Sequence, residues 1–133
     1  MTEIQRLGGD PASPWEDQFG FGRVVRAGRL VMVGGTTSVD GYGVVIGRTS
    51  YEQAVEIFGK LGHELERVGA RVEDVVLTRI YVTDISRADE VGRAHGEFFG
   101  AVRPVMTMVE VAGLIDPRML VEIEVMAQLA GDA

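Results

Sequence analysis

The sequence predicts an α+β fold in which two helices cover one face of a mixed β-sheet. Strand-like and helix-like segments follow one another in the order strand–strand–(strand)–helix–strand–helix–strand–strand. The final segment, LVEIEVMAQL, alternates between core-forming residues and other residues, as expected of a strand with one buried face. At 133 residues the chain has the length of one domain, and we expect a single domain over residues 1–133.

Composition and charge disfavour several classes of function. The sequence has no cysteine, which excludes disulfides, thiolate catalysis and cysteine-ligated metals. No apolar run reaches the roughly 18 residues of a membrane helix. The N-terminus lacks the basic start and apolar stretch of a signal peptide, so we expect a cytoplasmic protein with no membrane partner. The formal net charge of −7 and the scattered basic residues disfavour nucleic-acid binding.

The N-terminal third of the sequence predicts short strands joined by turns. The opening segment, with Pro11 and Pro14, is expected to form an irregular arm. Residues 24–33, VVRAGRLVMV, indicate two short strands around a tight turn at Ala27–Gly28. A turn signal then precedes a third brief strand, predicted at Val44–Ile46.

A first helix is predicted from near Ser50. Thr49 or Ser50 can cap it, with Glu52 or Gln53 as the return partner of a capping box, and Gly69 lies where the helix should end. Apolar residues at helical spacing form one stripe, which comprises Ala54, Ile57, Phe58, Leu61, Leu65 and Val68. A strand over Val75–Ile85 follows, and Ser86, with Asp89 as its partner, is expected to cap a second helix that ends near Phe99.

The last two strands, VMTMVEV and LVEIEVMAQL, predict a sheet face that the helices do not cover. The residues expected to face the helices are Val121, Ile123, Val125 and Ala127. Those expected to face away are Leu120, Glu122, Glu124 and Met126, joined on the preceding strand by Met106, Met108 and Glu110. Such a face is too apolar for water and too polar for a closed core. We therefore expect it to pack against another copy, with the glutamates at the edge of the interface.

The segments GRLVMVGGTT, VVLTRIYVTDI, FFGAVRPVMTMVEVAGL and MLVEIEVMA resemble the RidA/YjgF family. Members of that family are reactive-intermediate deaminases, and they also carry translation-inhibitor and endoribonuclease names. The resemblance extends from about Phe21 to Ala127. It implies a chorismate-mutase-like fold and a homotrimer with three active-site clefts between subunits. We expect neither a metal nor another cofactor.

The resemblance implies a catalytic role for Glu122, at the position of the glutamate that orients or activates the attacking water. Three substrate-contacting positions differ: Phe21 keeps the ring of the family tyrosine without its hydroxyl, Gly34 replaces a serine, and Met108 replaces a cysteine. Gly35 is retained.

The arginine that clamps the substrate carboxylate in the deaminating branch is replaced by Met106. Arg103 lies three residues earlier, and an odd offset would point it to the other face of an extended strand. Pro104 also indicates that Arg103 belongs to the preceding loop, so Arg103 is a poor substitute. A charge-assisted contact of this kind contributes about 1.5–3 kcal/mol. Its loss predicts a substrate that lacks the carboxylate or has more apolar bulk.

Imine hydrolysis requires a group that can remove a proton from the attacking water and later return it. A partly buried carboxylate such as Glu122 can accept a proton from the attacking water and return it to the departing ammonia. The alternative is a structural glutamate paired with an arginine of a neighbouring subunit. Glu124, two residues on, is expected to be structural.

Arg23 and His95 are weaker candidates for the same cleft. Arg23 lies two residues after Phe21, so both should point the same way, and it could supply a replacement cation or simply lie at the surface. His95 lies in the apolar stripe of the second helix, where it either lines the cleft or is a satisfied, partly buried histidine. His63 is expected to be solvated, and no acidic or histidine pair has metal-ligand spacing.

These observations favour a homotrimeric imine or enamine hydrolase that acts on a small molecule without the usual carboxylate clamp. The alternative is a trimer that binds or senses a small ligand without catalysis. The acidic charge disfavours the ribonuclease and translation-inhibitor activities that the family names suggest.

Overall fold

The computed structural model describes residues 3–131, in which six strands form a single sheet of order β1-β2-β3-β6-β4-β5. The strands are β1 (Ile4–Leu7), β2 (Val24–Ala27), β3 (Leu30–Thr36), β4 (Val75–Val82), β5 (Val105–Glu110) and β6 (Val121–Gln128). The helices are α1 (Trp15–Phe19), α2 (Ser50–Arg67) and α3 (Ala88–Phe99). Strands β4 and β5 are parallel and the other neighbours are antiparallel, so the predicted mixed sheet and α+β class are confirmed.

The core lies between the sheet and the two long helices. The predicted stripe of α2 is buried, and it meets apolar side chains from alternate positions of the central strands. On the sheet these side chains are Val31, Val33, Ile80, Val82, Val121, Ile123, Val125 and Ala127. The predicted inward face of the last strand is therefore confirmed. The other face of the central strands has no covering element among residues 3–131.

Helix α2 has both predicted ends. The Thr49 hydroxyl oxygen accepts a hydrogen bond from the Glu52 amide at 3.0 Å, which caps the first turn. At the other end Gly69 adopts a left-handed conformation with φ of 83°. This lets the Ala70 amide donate to the Leu65 carbonyl at 2.9 Å, as in a Schellman motif.

Two predictions about local structure in the N-terminal third were wrong. The opening arm is not wholly irregular, because it contains the edge strand β1 and the short helix α1. Val44–Ile46 does not form a strand and makes only an isolated bridge between Val39 and Val45. The Asp40 carboxylate accepts the backbone amides of Tyr42 and Val44, and this turn replaces a regular ladder.

The predicted start of the second helix was also wrong. Strand β4 ends at Val82, and a single 3₁₀ turn over Ile85–Arg87 precedes α3. Asp84 accepts both the Ser86 amide and the Ser86 hydroxyl, at 3.0 and 2.6 Å. The Ser86 hydroxyl is therefore donated backwards and does not cap the helix.

Strand β5 presents the opposite face from the one predicted. Met106, Met108 and Glu110 pair with Thr78, Ile80 and Val82 of β4, which all point towards the helices. The open face of β5 consequently carries Val105, Thr107 and Val109. β5 is an edge strand with both sides partly exposed, so its sequence alternation reports burial poorly. Arg103 lies in the loop before β5, as expected.

Candidate functional site

A cavity of about 140 Å³ opens where β3 ends, beside Glu122 of β6. The N-terminal arm and α1 form one wall, α2 forms another, and β3 with β6 forms the floor. The lining residues considered below are Trp15, Phe21, Arg23, Gly35, Lys60 and Glu122. The structure therefore brings Phe21, Arg23, Gly35 and Glu122 together, as the sequence predicted.

A β-bulge at Gly34–Gly35 borders this cavity, and Gly35 lines its floor. The β3–β6 ladder pairs Val33 with Val125 and then Thr36 with Ile123, so β3 carries one extra residue at this point. A Cβ on Gly35 would overlap the Glu122 carboxylate. The bulge and the missing side chain together make the space that Glu122 occupies.

Glu122 is partly buried and forms no hydrogen bond or ion pair with any residue that the structure describes. Burial raises the pKa of its carboxyl group, the nearby Arg23 guanidinium acts in the opposite direction, and the Glu124 carboxylate adds to the rise. Glu124, in contrast, accepts a hydrogen bond from the Tyr81 hydroxyl and lies 4.0 Å from an Arg79 nitrogen. Glu122 is therefore available to a ligand or water, whereas Glu124 is already engaged.

The Arg23 guanidinium holds the bulge in place. Its Nη1 donates to the carbonyl oxygens of Gly34, at 3.4 Å, and Gly35, and it lies 3.3 Å from the Thr36 hydroxyl. These contacts use the side of the guanidinium that faces β3. Arg23 thus fixes the backbone on which the Glu122 carboxylate rests.

The other side of Arg23 meets the N-terminal arm. Its Nη2 lies 3.7 Å from the carboxylate of Glu16, which also accepts the Gly9 and Ser13 amides at 2.7 and 2.8 Å. These bonds and the Arg23 charge hold the pKa of the Glu16 carboxyl below its usual value, against the effect of burial. The Phe21 ring centre lies 5.5 Å from the guanidinium carbon. A cation is therefore present beside Glu122, although most of its donors are occupied.

Lys60 of α2 is a second cation in the cavity, and the sequence reasoning missed it. Its ammonium donates to the carbonyl oxygens of Thr37 and Val39 at 2.6 and 2.7 Å. Burial, reinforced by the charge of Arg23, lowers its pKa to about 8. One sequence signal could have revealed it, because Lys60 is the only lysine in a chain whose other basic residues are all arginine.

Gly34 lies in the bulge beside this cavity but does not line it, and three other predicted binding residues lie away from the cavity. His95 lies on the side of α3 that faces the sheet, where its Nε2 is 2.9 Å from the Thr78 hydroxyl and its ring packs against Phe58 and Phe99. Burial lowers the pKa of His95. Met106 and Met108 lie on the helix-facing side of β5. That these three residues bind a ligand stays a prediction.

Within residues 3–131 no three histidine, aspartate or glutamate side chains are arranged to hold a metal ion. None of the helices there is long and apolar enough to cross a bilayer. His63, expected to be solvated, is exposed and lies 3.2 Å from an Asp10 oxygen.

The family model described as Endoribonuclease L-PSP matches residues 16–129 of the chain. The chain belongs to this family. The endoribonuclease L-PSP match spans α2, α3, all strands except β1, and the cavity residues named above except Trp15. It confirms the resemblance to the RidA/YjgF family inferred from the sequence motifs.

Individual relatives also support membership of this family. The crystal structure of Rv2704 from Mycobacterium tuberculosis, a member of the YjgF/YER057c/UK114 family, is 42% identical in sequence. It superposes with a TM-score of 0.86, covering 96% of this chain and 100% of that chain. The uncharacterized protein SCO2049 of Streptomyces coelicolor is 44% identical over 115 residues, which are 86% of each chain. A RutC family protein of Saccharolobus solfataricus is 30% identical, covering 81% of this chain and 86% of its own length.

Proposed function

We propose that this member of the endoribonuclease L-PSP family hydrolyses the imine or enamine of a small molecule, in clefts of a homotrimer. The observation that carries the proposal is the state of Glu122. Its carboxyl group lies in a cavity, has no partner among residues 3–131, and has a pKa raised by burial. A free carboxylate with a raised pKa is suited to accept and return a proton near neutral pH.

The proposed reaction proceeds in two proton-balanced steps. Glu122 takes a proton from water as the water oxygen bonds to the imine carbon, and the imine nitrogen gains a proton to give a carbinolamine. The carbon–nitrogen bond then breaks, ammonia leaves with one further proton, and a carbonyl product remains. The net change is the addition of one water and the release of one ammonia, which needs no oxidant or reductant.

A trimer that binds a small ligand without catalysis is the second candidate. The departures from the family pattern at Phe21, Gly34, Met106 and Met108 favour it, because each removes a polar group that could contact a substrate. Ribonuclease activity is less well supported, since the net charge is −7 and acidic side chains line the cavity.

The test compares wild type with Glu122→Gln and Glu124→Gln. Imines are generated from alanine and other amino acids with an amino-acid oxidase, and their loss is followed against the uncatalysed rate. We expect Glu122→Gln to lower kcat/KM by roughly 100-fold or more, as for removal of a general base. Glu124→Gln, on the same side of β6, should change it by less than about 3-fold. Imine loss at the uncatalysed rate in all three proteins would contradict the proposal and favour the binding role, and equal acceleration by all three would reject Glu122 as the base.

The raised pKa of Glu122 gives the same comparison a pH dependence and a stability check. Activity should fall on acidification with a midpoint above the ordinary glutamate value of 4.5, because the basic form is lost earlier. A raised carboxyl pKa means that ionised Glu122 destabilises the fold as pH rises through that pKa. At pH 7, Glu122→Gln should therefore melt at a higher temperature than wild type while being inactive. A lower melting temperature would indicate that Glu122→Gln is inactive because its fold is damaged.

A further inference from the structure

The Lys60 side chain brings an amine into the cavity that holds Glu122. Its Nζ donates to the backbone carbonyl oxygens of Thr37 and Val39, at 2.6 and 2.7 Å. Both carbonyls belong to the segment just after β3, so the nitrogen is held between that segment and α2. Since no other residue of the chain is a lysine, the cavity contains the one side-chain amine of the protein, held in a defined place.

The hydrogen bonds of Lys60 match the needs of a neutral amine. An ammonium has three N–H groups, whereas a neutral amine has two N–H groups and a lone pair. The Thr37 and Val39 carbonyls accept both N–H groups of the neutral form. An ammonium would keep a third N–H without an acceptor among residues 3–131. In the neutral form the lone pair takes the remaining tetrahedral position on nitrogen, where a molecule in the cavity can meet it.

Three acidic side chains favour the charged form of Lys60, and none of them forms an ion pair with it in the described part of the chain. Glu56 has the largest of these effects. It lies one helical turn before Lys60 and is exposed, so water screens its charge. Glu64 pairs with Arg67, and Glu16 accepts two backbone amides. The ammonium is therefore stabilised only from a distance.

Burial and a neighbouring cation act in the other direction. Burial has the largest effect on Lys60, and the Arg23 guanidinium adds to it. Together they outweigh the three glutamates and lower the pKa of Lys60 to about 8. Lysines become nucleophiles when they are desolvated or lie beside another cation, and Lys60 meets both conditions.

We propose that Lys60 is a covalent binding site for small aldehydes and ketones, which it holds as a Schiff base. The Lys60 nitrogen bonds to the carbonyl carbon and passes one proton to the carbonyl oxygen, which gives a carbinolamine. The carbon–oxygen bond then breaks, the hydroxyl leaves with the second amine proton as water, and a C=N bond remains. One amine and one carbonyl thus give one Schiff base and one water, without an oxidant or a reductant. This capture goes beyond the proposed hydrolysis and does not depend on it.

The size of the cavity limits what Lys60 can capture. Its volume of about 140 Å³ is below the roughly 300–1,000 Å³ of sites for drug-sized ligands. Trp15, Phe21 and Ile115 give it an apolar wall that would contact a short carbon chain. We therefore expect carbonyl compounds of a few carbon atoms, such as propanal, to be captured.

The experiment exposes the native wild-type protein to propanal and reduces each Schiff base with cyanoborohydride, which adds hydride to the carbon of the C=N bond. Peptide mass spectrometry then locates the label. The other amine of the chain is its terminal α-amino group, whose ordinary pKa of about 7.7–8.0 is close to that of Lys60. The two amines are therefore free to a similar extent at one pH. We expect Lys60 to be labelled roughly 10-fold faster at low propanal concentration, with a rate that saturates as the cavity fills.

Three variants on α2 test the chemistry of the amine. Lys60→Arg keeps the positive charge but cannot lose its proton, so residue 60 should carry no label. Glu56→Gln removes the acidic side chain with the largest effect on Lys60 and leaves more free amine. It should speed labelling of Lys60 at pH 7 by roughly 1.5- to 2-fold. Glu66→Gln, at another exposed position of the same helix, is the control and should match wild type.

The result that would overturn the assignment is labelling of Lys60 more slowly than the α-amino group, or at a rate that stays linear in propanal. Lys60 would then be a structural ammonium that ties α2 to the segment after β3. The labelling rate should also level off above about pH 8, and a rise continuing to about pH 10, as for an ordinary lysine, would contradict the proposal. Capture on Lys60 by a protein that does not hydrolyse imines would keep this site and reject the hydrolase. Hydrolysis without a label on Lys60 would do the reverse.

Discussion

Glu122 and Glu124 lie two residues apart on the same side of β6, but their neighbours differ. Glu122 rests against a glycine bulge, while Glu124 meets Tyr81 and Arg79. The residues of β6 alone do not distinguish them, because both occupy equivalent positions of the alternation. The family resemblance assigned Glu122, and the contact with Gly35 from another strand supplies the physical difference.

Gly35→Ala should separate the position of Glu122 from the stability of the fold. The added Cβ would overlap the Glu122 carboxylate, which is the flexible end of a side chain and can move away at little cost. We expect imine hydrolysis to fall by roughly 10-fold or more, as a small displacement of a catalytic group causes, with little change in melting temperature. Kinetic and thermal measurements on the purified variant check both.

The neighbouring glycine provides the matched control for that variant. A Cβ on Gly34 would lie 3.7 Å from the Arg23 carbonyl oxygen, an ordinary contact that requires no movement. Gly34→Ala should therefore keep activity within about 2-fold of wild type. Equal losses of activity in Gly34→Ala and Gly35→Ala would show that activity depends on the conformation of the bulge rather than on the position of the Glu122 side chain.

Several site residues could not be predicted from the sequence because they come from elements that look unrelated to the site. Glu16 belongs to an arm expected to be irregular, and Lys60 belongs to a helix predicted for its apolar stripe. Glu16 and Lys60 come close together only because the N-terminal arm folds back over α2. The contact of Arg67 Nη1 with the Gly8 carbonyl, at 2.6 Å, is part of that attachment. Such long-range contacts leave no periodic signal along the chain.

At the level of elements, predictability follows the number of independent local signals. Helix α2 has an apolar stripe, an N-cap and a C-terminal glycine, and its ends were predicted well. Helix α3 has an apolar stripe but begins after a 3₁₀ turn. This turn includes Ser86, so Ser86 does not cap the helix as predicted. The position of strand β5 was predicted correctly, but its inward face was not. Both sides of this edge strand are partly exposed, so the alternation of its residues does not indicate which side faces the core.

Two glycines associated with α2 should respond in opposite directions to alanine. Gly69 ends the helix with φ of 83°, and a Cβ there would lie 3.1 Å from an Arg26 nitrogen. We expect Gly69→Ala to lower the free energy of unfolding by about 1–2 kcal/mol. Gly59 lies on the exposed side within the helix, where a Cβ would meet no atom within 4 Å. Gly59→Ala should raise the free energy of unfolding by about 0.5–1 kcal/mol.

Denaturant titrations of these two variants measure both effects on one scale. Because the residues lie in and just after the same helix, a general change in solubility or charge cannot produce opposite signs. A stabilised Gly69→Ala protein would contradict the left-handed helix end.

For the whole molecule, the main unexplained feature is the open face of the sheet, which is the face turned away from α2 and α3. Within residues 3–131 no element covers it, and Val105 and Val109 of β5 are 67% and 43% exposed there. Met32 and Met126, paired across β3 and β6, also lie on this side. An apolar sheet face left open to water favours association. A cleft between subunits would then border Glu122, which lies on the same side of β6.

We expect light scattering coupled to gel filtration to give a mass three times the chain mass of 14.4 kDa at micromolar concentration. Val109→Glu should shift the mass towards a single chain, since the new charge would be buried in the contact. Val55→Glu, at a valine 47% exposed on α2, changes the same residue type away from the open face and should leave the mass unchanged. Imine hydrolysis should fall with the mass in Val109→Glu only. A wild-type mass of one chain would contradict the trimer and remove the shared cleft that would border Glu122.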